Sequence, residues 1–206
     1  MAFIKTIRAA EATSEALDMY RRQEDHWGYV PNYAKVFSHR PEVMARWGRL
    51  LAEIRRPADD RRFELVTFVV ARELKHSSCS LEHGRRLAGI IGKDAVLALS
   101  EGRTPAELSA AENAMVDFAR AITRDARKIS FGQVEALTRI HGFSDEEVFD
   151  IAAIAAGRCF FTKLLDALGT EPDVAFMSMD PELREKLGIG RPISHSRPEY
   201  TSAEAA

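Results

Sequence analysis

A carboxylate, two imidazoles and one of the chain's two thiols lie between Glu64 and His83, with His76, Cys79 and His83 in the pattern H-x-x-C-x-x-x-H. Side chains three and four apart share a helix face. In a helix opening near Cys79, the thiol sits one turn from His83, and His76 lies one turn the other way if the helix starts early enough. A free cysteine ionises near pH ~8.5, so only a few per cent is thiolate at neutrality. Three features favour ionisation here: the partial positive charge of a helix N-terminus, a neighbouring imidazole, and hydrogen bonds from Ser77, Ser78 and free backbone N–H groups. The expected chemistry is that of an activated nucleophile. Cys79 attacks, His83 takes its proton, Glu64 orients His83 and stabilises its charged form, and His76 serves as a second proton carrier.

Two other readings of the same residues stay open. Glu64, His76, Cys79 and His83 are all metal ligands, and zinc accepts mixed N, S and O donors. Structural zinc sites, however, more often draw paired motifs from separated segments. A lone cysteine on an amphipathic helix is otherwise a small core residue. Cys159, amid Ala155, Ala156, Phe160 and Phe161, takes that inert reading. His26, His39, His141 and His195 lie near caps or loops and carry no expected role.

The chain that must position these groups has 206 residues, 46% hydrophobic and 29% charged, which suits one soluble globular domain or at most two small ones. A net charge of −2 makes no electrostatic case for nucleic acid or an anionic membrane as partner. No apolar run reaches the ~20 residues needed to span a bilayer. The opening MAFIKTIRAAEATSE lacks the apolar core of a secretory signal. Two cysteines make no disulfide framework, so a cytoplasmic location is expected.

Periodicity and punctuation predict helices throughout. EATSEALDMYRRQEDHWG reads as a helix capped by Thr13 or Ser14 and stopped at Gly28. A turn at Tyr29–Asn32 leads to a short helix over NYAKVFS. Pro41 opens another, with Val43, Trp47, Leu50, Leu51 and Ile54 on one stripe. Asp59 caps a helix through FELVTFVVAREL, whose length and charge spacing favour helix over strand. Ser77 or Ser78 is the expected cap of the helix carrying Cys79 and His83, which ends at Gly92. After a short element over GKDAVLALSEG come four capping-box patterns, at Thr104–Glu107, Ser109–Glu112, Ser130–Gln133 and Ser144–Glu147. The helix after Ser144 runs to Gly169, apolar almost all round, and is expected in the domain centre or a subunit interface. Asp180-Pro181-Glu182 starts one more short helix. The tail GRPISHSRPEYTSAEAA is expected to be mobile or wrapped over a neighbour. The fold class is all-α, in a single domain.

At these residues the chain resembles the alkyl hydroperoxidase D-like and carboxymuconolactone decarboxylase superfamily, and within it the peroxidase-related group. Glu64, Cys79 and His83 fall on that family's glutamate, second motif cysteine and histidine, flanked by Ser80-Leu81 and Gly84. The likeness extends to Gly28–Asn32, Ser109–Asp125, Phe143–Glu147 and Ala167–Asp173, about residues 25–175 in all. Residues 1–24 form a lead and first helix, and 176–206 a short helix and tail. The resemblance implies an all-α helical bundle that assembles as a homo-oligomer. It also implies a thiol-dependent peroxidase that needs no bound cofactor but does need an external thiol reductant. His76 stands where the family has its first cysteine, so no local disulfide can close on Cys79, and a sulfenic acid there needs an outside thiol, or Cys159 if the fold brings it close. Relatives without the cysteine pair imply an alternative, cofactor-free acid–base chemistry on a small lactone or keto acid.

Overall fold

A computed structural model describes residues 2–201. Its helices are α1 (Ser14–Trp27), α2 (Asn32–Phe37), α3 (Pro41–Arg55), α4 (Asp60–Glu73), α5 (Ser77–Ile91), α6 (Lys93–Ser100), α7 (Ala110–Asp125), α8 (Phe131–Arg139), α9 (Asp145–Ala167) and α10 (Pro181–Leu187), with three short 3-10 turns. Among the described residues there is no strand, only an isolated antiparallel bridge between Val30 and Glu199. The all-α expectation holds. Among the described residues no helix is long and apolar enough to cross a membrane.

Helix α4 is the hub. Every residue from Phe63 to Ala71 is buried, and the helix packs against α5, α7 and α9. Asp59 caps it by accepting from the Arg62 amide at 2.7 Å. The boxes at Ser109, Ser130 and Ser144 each form both of their reciprocal bonds, as expected. Two of their glutamates also bind α4: Arg61 donates to Glu112, and Arg62 Nη2 to Glu147 Oε1 at 2.6 Å. Local capping thus fixes the N-termini of α7 and α9 against the start of α4.

Leu74, Lys75 and His76 join α4 to α5. The His76 amide bonds the Ala71 carbonyl at 2.9 Å, and Lys75 takes a left-handed φ of 56°. This tight reversal folds α5 back along α4, which brings mid-α5 beside early α4.

Side chains divide into two apolar clusters. The larger joins α4 to α5–α10. The smaller joins α1–α3 to Ala71, Cys79, Phe161 and Leu165. Cys79 therefore sits on the seam where α5 and α9 meet the N-terminal helices.

Several expectations are corrected. Thr104–Glu107 begins no helix; its residues form a turn, because Ser109 must be extended (ψ 164°) to cap α7. Val43 and Leu50 are exposed, so only Trp47, Leu51 and Ile54 of the α3 stripe face inward. Helix α9 is not buried all round: Phe149 and Phe160 reach the surface. The tail, as far as it is described, folds onto its own chain. The Gly190 amide donates to Ser77 Oγ at 2.8 Å, Ser194 N to Pro172 O at 2.8 Å, and Glu199 pairs with Lys35 at 2.8 Å. Residues 202–206 of that tail lie outside the described residues.

Gly84 is where α10 docks on α5: a Cβ there would strike Leu187 Cδ1 and come within 2.9 Å of Phe68 Cε2. Overpacking of this kind costs about 1–3 kcal/mol, against roughly 1 kcal/mol gained in helix propensity. Gly84→Ala should therefore lower the urea midpoint, despite being a helix-favouring change.

Candidate active site

Glu64 points from α4 toward α5, 2% exposed, with Oε2 2.6 Å from His83 Nδ1. A carboxylate acceptor at Nδ1 places that ring proton there and leaves Nε2 as the acceptor. The Phe63 ring meets the imidazole edge-on at 6.2 Å. Burial pushes the His83 pKa down to about 4; Arg158 adds to that, while Glu64 opposes it. The carboxylate thus orients His83, but the ring stays neutral, contrary to the expectation of a stabilised cation. Desolvation outweighs the one ion-pairing contact.

Cys79 lies in the first turn of α5, buried. Burial raises its thiol pKa. Arg158 works against this by charge and hydrogen bond, while Asp166 and Glu82 reinforce it. The helix N-terminus and its neighbours therefore do not produce a resting thiolate, as the sequence alone had suggested. His83 is one turn further along the same helix.

His76, not a serine, caps α5: its Nδ1 accepts from the Cys79 amide at 3.2 Å. Its Nε2 is 4.0 Å from Asp166 Oδ1. Only a neutral imidazole can accept at Nδ1. Burial supplies that state, taking its pKa down to about 4, with Arg158 and Arg191 adding to the shift and Asp166 opposing it. A histidine cap leaves no trace in capping statistics, which favour Ser, Thr, Asp and Asn.

The residue that sequence reading passed over is Arg158. It is the one charged side chain between Ile151 and Phe161, in an otherwise apolar run of α9. It is 5% exposed, its Nη1 is 3.7 Å from Cys79 Sγ, and its guanidinium lies over the Phe161 ring at 5.7 Å. A charge placed where apolar periodicity demands a core residue was the available signal.

Cys159, the next residue, faces elsewhere. It packs against the larger cluster, near Thr123 of α7, with its thiol pKa raised by burial, and both cysteines are free. Nor do the four candidate ligands converge. His83 turns to Glu64 and His76 to a backbone amide, and among the described residues no group of three or more His, Cys, Asp or Glu side chains is placed to hold a metal ion.

His76 supplies a test of stability. Its pKa is near 6.5 in an unfolded chain and about 4 when folded, so the folded state takes up its proton at lower pH. The contribution is complete above pH ~6.5 and is lost as pH falls toward ~4. His83 acts in the same sense. His76→Asn should keep the cap and remove the His76 share of this acid limb, leaving a shallower one from His83, whereas His76→Ala should cost about 1 kcal/mol at neutral pH in denaturant titrations.

No protein-family model and no curated protein matches the chain in sequence. Solved structures do match its fold. One is a peroxidase-related protein from Ralstonia eutropha JMP134, described as an alkylhydroperoxidase AhpD core (TM-score 0.71, 22% identity, 86% of this chain and 95% of that one). A second is a peroxidase-related protein from Silicibacter sp. TM1040 (TM-score 0.70, 21% identity, 84% and 93%). A third is the debrominase Bmp8, as a cysteine-to-alanine variant in complex with 2,3,4-tribromopyrrole (TM-score 0.70, 18% identity, 89% and 100%). The chain has the all-α alkylhydroperoxidase AhpD-like fold.

Proposed function

We propose that this chain is a one-cysteine thiol enzyme that reduces hydroperoxides. The observation that carries the reading is a thiol with a guanidinium at its side and a carboxylate-held imidazole on the next turn of its helix. A Glu64-held neutral imidazole stands one turn away, and a buried guanidinium lies 3.7 Å from Sγ. The thiol rests protonated, so the reaction is general-base assisted rather than an attack by a standing thiolate. Cys79 Sγ attacks one peroxide oxygen; the S–O bond forms as the O–O bond breaks. The thiol proton passes to His83 Nε2 and from there to the departing alkoxide, which leaves as an alcohol. Arg158 stabilises the negative charge that develops on sulfur and oxygen in between. The product is a sulfenic acid on Cys79.

Recovery needs a thiol from outside, because Cys159 faces the other cluster. That thiol displaces water from the sulfenic acid and forms a mixed disulfide. A second thiol then releases Cys79 as a thiol and leaves as half of the external disulfide. The small-molecule complex of the debrominase supports a small organic substrate for a site on this fold.

One observation favours a second reading. A neutral His83 with a free Nε2, beside a thiol that rests protonated, also suits cofactor-free acid–base chemistry on a small lactone or keto acid. There Cys79 would be dispensable.

Two variants separate the readings. Under the peroxidase reading, Cys79→Ser abolishes consumption of an organic hydroperoxide in stopped-flow assays. His83→Ala slows it by about 10²–10⁴-fold, the usual worth of a general base. A Cys79→Ser protein that consumes peroxide at the wild-type rate rules the thiol mechanism out. Labelling of Cys79 by a neutral thiol reagent should climb roughly tenfold per pH unit through neutrality and past pH ~9, because the thiolate fraction follows a raised pKa.

A further inference from the structure

Arg158 is the one cation at this site with no anion of its own. The neighbouring acids are already engaged. Glu64 holds His83 and lies 4.0 Å from Arg86, Glu82 binds Arg85 and Arg86, and Asp166 lies 3.9 Å from Arg191 Nε. None of them reaches Arg158 within ion-pair distance. Its side chain is more than nine-tenths buried, and guanidinium groups stay charged. Nη1 is directed at the Cys79 sulfur. Nε is buried without any hydrogen-bond partner, and Nη2 makes none either. Those two nitrogens form one edge of the guanidinium, the fork that binds a carboxylate through two parallel bonds. A buried charge without a partner is costly to keep, and an occupied fork removes that cost.

We propose that Arg158 is a carboxylate-binding residue, and that the molecule presented to Cys79 is an organic acid. This rests on the reading of Cys79 as the reacting atom. It adds what that reading leaves open, the chemical class of the substrate: the Nε–Nη2 edge takes the carboxylate, and Nη1 stays on the sulfur beside it.

Alkylation tests this without peroxide. Iodoacetate and iodoacetamide both form a C–S bond to Cys79 and expel iodide, with the thiol proton passing to His83 or buffer. Only iodoacetate carries a carboxylate. The ratio of their rates, followed by mass at the Cys79 peptide, should exceed that of a small free thiol by at least about tenfold. Arg158→Met should collapse the ratio to the free-thiol value, and Arg158→Lys should keep part of it. Asp166 and Glu82 alone would push the ratio the other way. A wild-type ratio at or below the free-thiol value overturns the proposal, as does an unchanged ratio in Arg158→Met.

If neither reagent reaches the buried thiol, a thermal shift decides. Benzoate should raise the melting temperature of wild type but not of Arg158→Met, and benzamide should raise neither; no benzoate effect on wild type overturns the proposal. Loss of the peroxidase reading with a retained carboxylate preference would remove the reaction and leave this binding role standing.

Discussion

Protonation at one seam of this protein is governed by desolvation. Between α4, α5 and α9 the fold buries a carboxylate, the His76 imidazole, a thiol and a guanidinium, and half-buries the His83 imidazole, in surroundings of Phe63, Phe161 and Trp47. In such a medium the charged form of each titratable group is penalised before any neighbour acts. Both imidazoles are held neutral and the thiol protonated. The Arg158 guanidinium adds to the lowering of both histidines and is the main influence opposing the rise at Cys79, while Asp166 is the larger charge acting on His76.

Neutrality has uses. A neutral His76 can accept the Cys79 amide and so close the end of α5, which a protonated ring cannot do. A neutral His83, held at Nδ1 by Glu64, presents Nε2 as a base throughout the physiological range. On the same helix the Cys79 thiol rests protonated rather than as a standing thiolate. The His76 ring, three residues before the thiol, serves the backbone.

The scaffold reaches this arrangement by local means. Capping boxes at Ser109 and Ser144 start α7 and α9, and their glutamates bind the arginines at the head of α4. The strained turn at Lys75 reverses the chain so that Glu64 and His83, nineteen positions apart, face each other. The C-terminal segment then closes over the start of α5 through Gly190 and Ser77. Solved structures with this fold share only 17–22% of their residues with the chain, which fits a fold set by apolar patterning and caps more than by particular side chains.

Helix type and extent were legible in the sequence because they depend on neighbours three and four positions away: Asp59, Ser109, Ser130 and Ser144 cap where their spacing says they should. Thr104 failed because two overlapping caps compete for one stretch of backbone. Glu64, Cys79 and His83 were legible as a group from residue type and spacing, and the resemblance placed them on one fold. Their protonation was not, since it depends on how completely water is excluded, a property of packing from remote helices. Arg158 was hidden for the same reason. It lies far along the chain from Cys79, on a helix whose composition advertises only core, and nothing short of the folded seam brings its guanidinium to the sulfur. Sequence therefore decided the helices and gathered Glu64, His76, Cys79 and His83. Tertiary burial decided which of them carry charge.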